Sequence, residues 1–284
     1  MPSLTQLKKE IQFHDNLGSL LNILKSIATQ QFQSLEASLR SNPTFFDTLM
    51  TIAGTFDLER FEHPFNRASG PLGIIAITSD VGLLGGLNQQ VILTALREYR
   101  AAPGEFMVVG RKGLTYAREH GVSCREFPGF QEEARRPLAA QVRDYALNGV
   151  LQGRLGSLTI VHPRALSFTI QRVEVIHALP ARRWLLGAVQ PRGIRSKTPL
   201  LLESPAEKIL EYLVWVWLGE RLYEALGASR LAELAARSVH LEGSLEELKR
   251  RRNKLLRRYF HERHEVIDRG MRELFAARAL YGSS

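Results

Sequence analysis

The sequence predicts a protein of the α/β class, with an α/β domain inserted between long N- and C-terminal helices. Three observations support this prediction. Apolar residues recur mostly three and four apart through the N-terminal stretch, short apolar runs alternate with helical segments in the middle of the chain, and no proline interrupts residues 206–281. These patterns indicate amphipathic helices at both ends and β-α-β units between them. We predict domains at 1–60, 70–200 and 203–284.

The N-terminal segment is predicted to form one long amphipathic helix, because no proline occurs between Pro2 and Pro43. Gly18 costs about 1 kcal/mol relative to alanine inside a helix, so we expect the apolar face around it to pack on a partner. A short helix is expected around Phe45–Ala53, within the turn-rich residues 41–71. The expected apolar seam of the long helix consists of Leu4, Leu7, Ile11, Leu17, Leu20, Leu21, Leu24, Ile27 and Leu35.

The middle of the chain is predicted to form a mostly parallel sheet. Its apolar runs have the length of strands and are separated by helical segments, which is typical of β-α-β units. We therefore predict a Rossmann-like α/β domain, with Ser167–Leu179 and Trp184–Val189 pairing as a hairpin at the sheet edge. The other expected strands are Gly73–Thr78, Glu105–Gly110, Ser123–Phe127 and Ser157–His162, with helices near Arg111–His120 and Glu132–Leu151.

The C-terminal segment is predicted to form a second long helix, from Ser204 to about Tyr281. Pro205 fits the first turn of such a helix. Its apolar residues step by threes, fours and sevens, as in a coiled coil. Because both ends of the chain carry a narrow apolar seam, we predict that the two helices pair as an antiparallel coiled coil. The C-terminal seam consists of Leu231, Leu234, Leu241, Leu245, Leu248, Leu255, Tyr259 and Val266.

Composition limits the classes of function. The formal net charge of +9 and the pI near 9.9 indicate an acidic partner, which could be nucleic acid, anionic lipid or an acidic protein surface. Cys124 is the single cysteine, so an intramolecular disulfide and a cysteine-based zinc site are excluded. We expect no membrane span, because no apolar run reaches about 18 residues, and the first ten residues lack the apolar region of a signal peptide.

One glycine-rich stretch raises the question of a nucleotide site. Residues 77–88 read ITSDVGLLGGLN and lie between a predicted strand and a predicted helix. A phosphate-binding loop of the Walker type needs a lysine, and a dinucleotide fingerprint needs a different glycine spacing. The leucines in this stretch would crowd a pyrophosphate. We therefore favour a structural turn that binds no cofactor, formed by Asp80, Gly82, Gly85, Gly86 and Asn88.

No catalytic or metal site is predicted. His261 and His264 lie three residues apart on a helix, which is not metalloprotease spacing, and no third ligand is evident. No nucleophile elbow of a hydrolase occurs. The basic run Lys249–Arg258, in which seven of ten residues are cationic, fits a solvated helix face, a nucleic-acid surface or docking on an acidic protein.

Three stretches together resemble one family, the gamma subunit of F-type ATP synthases. ITSDVGLLGGLN is similar to the family signature ITSDRGLCGGLN. The N-terminus SLTQLKKEI aligns with the family's opening, where ILKSIA resembles AMKMVA and places Lys25 and Ala28 on matching positions. In the C-terminal helix, ELAAR ends at Arg237 and resembles the family's SExAAR pattern, and ELFAARAL aligns near the end. The resemblance covers both ends and the domain between them.

Several positions depart from the family pattern. Val81 and Leu84 replace an arginine and a cysteine of the signature, and LEGSLEE at residues 241–247 stands where the family has MKAATDN. Several lysine positions of the N-terminal helix are Asn, Ser or Gln here. These departures indicate a divergent member, for which an alternative F-type ATPase is a candidate complex.

The resemblance implies a non-catalytic central rotor shaft that couples proton or sodium flow to ATP synthesis or hydrolysis. The implied partners are the alpha and beta subunits of the catalytic hexamer, the epsilon subunit and the c-ring, with no nucleic acid. The implied location is peripheral, on the cytoplasmic face of the cell membrane. The residues expected to contact other subunits or to couple rotation are Lys25, Arg237, Arg250, Arg251 and Arg257.

Two other interpretations remain open from the residues alone. A nucleotide-dependent α/β enzyme with helical appendages would bind phosphate at Gly82–Gly86. A basic coiled-coil nucleic-acid binder would bind DNA or RNA tightly, with a strong salt dependence.

Overall fold

A computed structural model describes residues 3–39, 43–55, 62–67, 70–185 and 204–281. The chain divides into two compact units. The first, here the coiled-coil unit, consists of Met1–Gln30 and Ser238–Ser284. The second, here the sheet unit, is Gln31–Arg237.

The helices and strands alternate as the sequence predicts, between two long terminal helices. The helices are α1 (Leu4–Ser38), α2 (Pro43–Thr55), α3 (Leu87–Ala101), α4 (Arg111–Glu119), α5 (Arg135–Leu151), α6 (Arg182–Leu185) and α7 (Ala206–Tyr281). The strands are β1 (Leu72–Ile77), β2 (Glu105–Val109), β3 (Cys124–Phe127), β4 (Ser157–Ala165) and β5 (Gln171–Leu179). A short 3-10 helix, Glu132–Ala134, precedes α5.

The sheet has the order β3-β2-β1-β4-β5. Strand β1 is parallel to β2 and to β4, and β2 is parallel to β3. Strand β5 runs antiparallel to β4 and closes one edge. The predicted α/β fold class, with its mostly parallel sheet between long terminal helices, is confirmed.

The hairpin at the sheet edge differs from the prediction in the partner of β5, which is the preceding strand β4. Strand β5 pairs with β4, whereas Trp184 lies in α6 and residues 186–189 lie outside the described residues. Strand β4 runs through Pro163 to Ala165, further than the sequence indicates. Because the pairing of β4 with β1 ends at Val161, Pro163 lies where the strand has a neighbour on one side only, and a strand tolerates proline there.

Both faces of the sheet are covered by helices. Strand β1 is buried at every position, as expected for a central parallel strand. Alternate residues point to opposite faces. Ile75 and Ile77 pack in a core with α5 and the beginning of α7, while Ile74 and Ala76 pack in a core with α3 and α4.

In the coiled-coil unit, α1 and α7 run antiparallel. Two ion pairs join the helices, one between Asp15 and Arg252 and one between Lys25 and Glu242. The hydroxyl oxygens of Thr29 and Ser238 are 3.2 Å apart. A Cβ atom at Gly18 would lie 3.4 Å from Leu248 Cδ2, so the glycine lets the two helices approach closely.

The apolar seam of α1 differs in part from the prediction. Leu7 and Ala28 are buried, but Leu20, Leu24 and Ile27 are 52%, 36% and 46% exposed. These three residues repeat at spacings of three and four on a neighbouring face of the helix. The spacing of apolar residues alone is compatible with either of two faces of α1 packing on α7. The interhelical contacts show that the face containing Lys25 is the one that packs on α7.

The predicted seam of α7 holds for Leu241 and Leu245, which are buried, but Val266 is 54% exposed. The register of the interhelical contacts places Leu4, the first residue of α1, opposite Arg263. Val266 lies beyond that position, so α1 does not reach far enough to cover it.

Candidate functional site

The glycine-rich turn is held together by its own side chains. The Ser79 backbone N–H donates to Asn88 Oδ1 at 3.1 Å, and Asn88 Nδ2 donates to Ser79 Oγ at 2.8 Å. Ser79 Oγ in turn donates to the Val81 carbonyl at 2.7 Å. Both Ser79 and Asn88 are buried. The turn between β1 and α3 is therefore closed by a short network of hydrogen bonds among its own residues.

The start of α4 is also occupied by the turn. The carboxylate oxygen Oδ1 of Asp80 accepts from the Arg111 backbone N–H at 2.8 Å, and Thr78 Oγ1 accepts from the Gly113 N–H at 3.1 Å. The first N–H groups of a helix form a ready anion site. Here a carboxylate and a hydroxyl of the protein fill that position.

Two of the three signature glycines are required by backbone conformation. Gly85 and Gly86 have φ angles of 57° and 93°, in the left-handed region that favours glycine. Leu83 also has a positive φ, of 66°, and adopts it despite its side chain. Gly82 has no such angle, and a Cβ there would meet only Lys112 Cε, at 3.8 Å.

The leucines of the turn pack on the long C-terminal helix. Leu84 and Leu87 are buried in a cluster with Ala232 and Ala236 of α7. The cavity that remains between the turn and α7 measures about 10 Å³, close to the smallest space that holds a single water. A phosphate group does not fit there, and Leu84, which replaces the family's cysteine, is a packing residue.

Arg237 is largely buried and paired with its own helix. Glu233 Oε1 accepts from Arg237 Nη2 at 2.5 Å and from Arg230 Nη1 at 2.8 Å. The side chains of Arg237 and Glu233 are 13% and 9% exposed. Glu233 also lines the small cavity beside the turn. The sequence reasoning did not single out Glu233, although a glutamate four residues before an arginine is a recognised helical pair.

Lys25 lies in the contact between the two helices of the coiled-coil unit. It forms an ion pair with Glu242 while remaining 34% exposed. The hydrogen bond from the Lys25 ammonium lowers the pKa of the Glu242 carboxyl. A second pair, Arg252 Nε to Asp15 Oδ1 at 2.5 Å, has the opposite polarity, with the cation on α7. Together the two pairs favour one register of the helices.

The basic run on α7 is only partly neutralised. Arg250 and Arg251 pair with Glu246 and Glu247 on the same helix, at 3.9 Å and 2.9 Å, and stay mostly exposed. Arg252 pairs with Asp15 of α1, and within the described residues the other four cations of the run, Lys249, Lys254, Arg257 and Arg258, have no ion pair. Three of these four, Lys254, Arg257 and Arg258, line an open groove of about 570 Å³ together with Glu10, His14, Arg251 and Leu255. We call this surface the basic groove.

The predicted residues therefore fall into two separate groups. The turn residues and Arg237 belong to the sheet unit, while Lys25, Arg250, Arg251 and Arg257 belong to the coiled-coil unit. Across the described part of the chain, no three His, Cys, Asp or Glu residues are arranged to hold a metal ion. His261 lies 3.2 Å from Glu265 on its own helix. No described helix is both long and apolar enough to cross a membrane.

The fold and these surfaces define a class of protein. Proteins of this class have two parts. One is an α/β domain in which the glycine turn packs on a helix, and the other is a charged antiparallel coiled coil. The side chains of Ser79, Asp80 and Asn88 bond to other groups of the chain, while exposed cations line the basic groove of the coiled-coil unit.

Comparisons with known proteins identify the family. The family described as ATP synthase matches residues 3–280. Relatives include ATP synthase gamma chains of Pelotomaculum thermopropionicum, 23% identical with 86% of this chain and 87% of the relative covered, and of Clostridium acetobutylicum, 25% identical with 84% of each covered. A chain of the Euglena gracilis mitochondrial ATP synthase has the same fold, with a TM-score of 0.68, 16% identity, and coverage of 99% of this chain and 95% of that chain.

The chain therefore belongs to the ATP synthase family, as the resemblance of its sequence to gamma subunits indicates. Its function is that of the central rotor shaft of an ATP synthase, and it is a non-catalytic subunit.

Proposed function

We propose that the coiled-coil unit transmits torque to an alpha-beta hexamer, and that the basic groove is its main contact with the acidic loops of the beta subunit. The observation that carries this proposal is the set of three exposed cations without an ion pair in the described residues, Lys254, Arg257 and Arg258. They lie on a 76-residue helix that contains no proline. An acidic surface is the complement that such a groove favours.

The chemistry of the groove suits a surface that has to turn. Contacts between exposed charges are long-ranged and individually weak, roughly 0–1 kcal/mol each, so they can break and re-form as the shaft rotates. A large apolar interface would hold one orientation more firmly. The interhelical ion pairs of Lys25 and Asp15 resist sliding of one helix along the other, which keeps the shaft intact under load.

Arg237 is proposed to take part in coupling through a fixed guanidinium group. Glu233 holds one of its nitrogens, while an arginine offers five N–H donors in a rigid fork. Its remaining donors can bind acceptors of a neighbouring subunit in one defined geometry. Arg250, Arg251 and Arg257 are proposed as further contacts with other subunits, on the coiled-coil unit.

We propose contacts with the alpha, beta and epsilon subunits and with the c-ring, and a peripheral location on the cytoplasmic face of the cell membrane. The coupled ion is a proton or sodium. We also retain 1–60, 70–200 and 203–284 as proposed domains.

The test is a charge-neutralised complex. Lys254→Gln, Arg257→Gln and Arg258→Gln are combined, and the matched control combines Lys112→Gln, Arg97→Gln and Arg100→Gln, which remove the same charges from exposed positions of the sheet unit. Ion pumping per ATP hydrolysed is measured in reconstituted vesicles. We expect the groove variant to assemble but to pump fewer ions per ATP, and the control to match wild type. An unchanged ratio in the groove variant would remove the basic groove from the coupling path.

A further inference from the structure

The end of the β4–β5 hairpin is a surface of the sheet unit that the contacts proposed for the coiled coil do not use. Strands β4 and β5 stay paired as far as Ala165 and Gln171, whereas the pairing of β4 with β1 ends at Val161. The last residues of the hairpin therefore continue past the point at which the parallel part of the sheet ends. We call residues 164–172 the hairpin tip.

The hairpin tip is held in one shape by its own hydrogen bonds and by an aromatic anchor. The Leu166 backbone N–H donates to the Ile170 carbonyl at 2.9 Å, and the Ile170 N–H donates to Ser167 Oγ at 3.1 Å. The ring of Phe168 packs edge-on against Phe32 of α1, with 5.0 Å between the ring centres. A surface that is already ordered loses less entropy when a partner binds to it.

Two aliphatic side chains of the hairpin tip are exposed to solvent. Leu166 and Ile170 are 53% and 54% exposed, and the hydrogen bond between their backbones places them side by side. Side chains alternate between the two faces of a strand, so Arg164, two residues before Leu166, and Arg172, two residues after Ile170, lie on the same face as this pair. That face therefore presents two aliphatic and two guanidinium groups.

The two arginines lie directly opposite each other. Arg164 and Arg172 are partners in the pairing of β4 with β5, and like charges in such positions destabilise a strand pair. Glu174 balances Arg164, because its Oε1 accepts from Arg164 Nη1 at 3.0 Å, while its Oε2 lies 3.5 Å from His162 Nε2. Within the described residues Arg172 forms no ion pair. One positive charge of the face is therefore left without a carboxylate.

We infer that the hairpin tip docks an acidic segment of another subunit, with a carboxylate held between Arg164 and Arg172 and with apolar side chains against Leu166 and Ile170. A carboxylate accepts hydrogen bonds from both guanidinium groups and offsets the repulsion between them. The exposed aliphatic pair favours a protein over nucleic acid, whose bases stack on aromatic side chains, because Phe168, the aromatic residue of the tip, packs against α1.

This surface belongs to the sheet unit, whereas the basic groove belongs to the coiled-coil unit. The inference rests on the membership of the chain in a multi-subunit complex and not on the coupling role proposed for the groove. A failure of either proposal therefore leaves the other unaffected.

Zero-length crosslinking in the assembled complex tests the charged half of the contact. Arg172→Lys keeps the positive charge and adds an amine that a carbodiimide joins to a carboxylate in direct contact. We expect an amide with an Asp or Glu of another subunit, identified by mass spectrometry of the joined peptides. Arg97→Lys is the matched control, because Arg97 is an exposed arginine of the same unit, and it should form no such amide. If Arg172→Lys does not assemble, Arg164→Lys supplies the amine instead. Amides only within this chain would overturn the inference.

A labelling experiment tests the apolar half. Ile170→Cys, in a Cys124→Ser background, reacts with a maleimide in the isolated chain and in the assembled complex. We expect the reaction in the complex to be slower by about tenfold or more, as for a side chain that a stable contact covers. Leu151→Cys is the control, since Leu151 is 47% exposed on the same unit, and its rate should change little. Adding Arg172→Glu should restore fast labelling of Ile170→Cys, whereas adding Arg97→Glu should not.

Each other outcome of the labelling experiment counts against the inference. An unchanged rate at Ile170→Cys on assembly would show that no subunit covers the tip, and equal protection of Leu151→Cys would indicate general shielding by the complex. Protection that persists with Arg172→Glu would exclude the carboxylate contact. Protection of the isolated chain by vesicles of anionic lipid would assign the surface to a membrane, and protection that nuclease removes would assign it to nucleic acid.

Discussion

Replacing Asn88 by alanine removes the side chain that closes the glycine turn. The Ser79 N–H then loses its acceptor at 3.1 Å, and the 2.8 Å hydrogen bond to Ser79 Oγ is lost as well. An unpaired buried donor costs about 1–3 kcal/mol, and the second hydrogen bond contributes about 0.5–1.5 kcal/mol. We expect Asn88→Ala to lower the free energy of unfolding by about 1.5–4.5 kcal/mol.

Urea denaturation followed by tryptophan fluorescence measures this change. Trp184, Trp215 and Trp217 are the only tryptophans of the chain, and all three belong to the sheet unit, so the signal reports on the unit that contains the turn. Gln90→Ala is the control, because Gln90 is exposed on the same helix and such a change is usually within about 0.5 kcal/mol. A loss in Asn88→Ala no larger than in the control would refute the structural role of the turn.

Three further predictions concern the coiled coil, Arg237 and the buried histidine. Cysteines replacing Gly18 and Leu248 would meet across the helix pair and should crosslink in the folded protein. Cysteines replacing Ser26 and Glu242 should not crosslink. Failure of the first pair to crosslink would argue against the antiparallel register. Arg237→Ala should leave assembly intact but lower the ions pumped per ATP hydrolysed, with Arg237→Lys recovering only part of the loss; wild-type coupling in Arg237→Ala vesicles would exclude the residue from that role. Because burial lowers the pKa of His162, the folded protein keeps it neutral while the unfolded chain protonates it below about pH 6.5. Stability should therefore fall as the pH drops from about 7 to 5. Urea titrations at both pH values should show a smaller fall in His162→Gln, and an equal fall would contradict the assignment.

The fold could be predicted because periodicity carries most of its information. Proline-free amphipathic stretches and buried apolar runs define the long helices and the parallel strands locally. The face of α1 that meets α7 could not be chosen in this way. Leu20, Leu24 and Ile27 have the right spacing, yet the face of α1 that contacts α7 is a neighbouring one that includes Gly18 and Lys25, because close backbone approach and charge pairing select the register.

The edge of the sheet shows a similar limit. Local propensity is compatible with a hairpin between β5 and a later strand. In the structure β5 pairs with β4, the strand that precedes it, and local propensity does not determine which strand becomes the partner. The absence of a lysine and the intruding leucines were enough to favour a structural turn at residues 77–88. The bonds between Asn88 and Ser79 span nine residues and the bond between Asp80 and Arg111 spans 31, so neither follows from helical or strand periodicity.

The pairing of Glu233 with Arg237 was accessible to sequence reasoning, because both residues lie on one helix at a spacing of four. The burial of Arg135 at the start of α5 was not, since it depends on the packing of Tyr223 and Gly227 of α7 against it.

The central claim is that this chain rotates inside the complex it belongs to. A cysteine replacing the exposed Lys112, in a Cys124→Ser background, provides an attachment point for a gold particle on the sheet unit. The assembled complex is immobilised through the alpha-beta hexamer, and single particles are followed while ATP is added. We predict stepwise rotation in one direction that stops when ATP is removed. Sustained ATP hydrolysis by the same immobilised complexes without rotation of the particle would contradict the account.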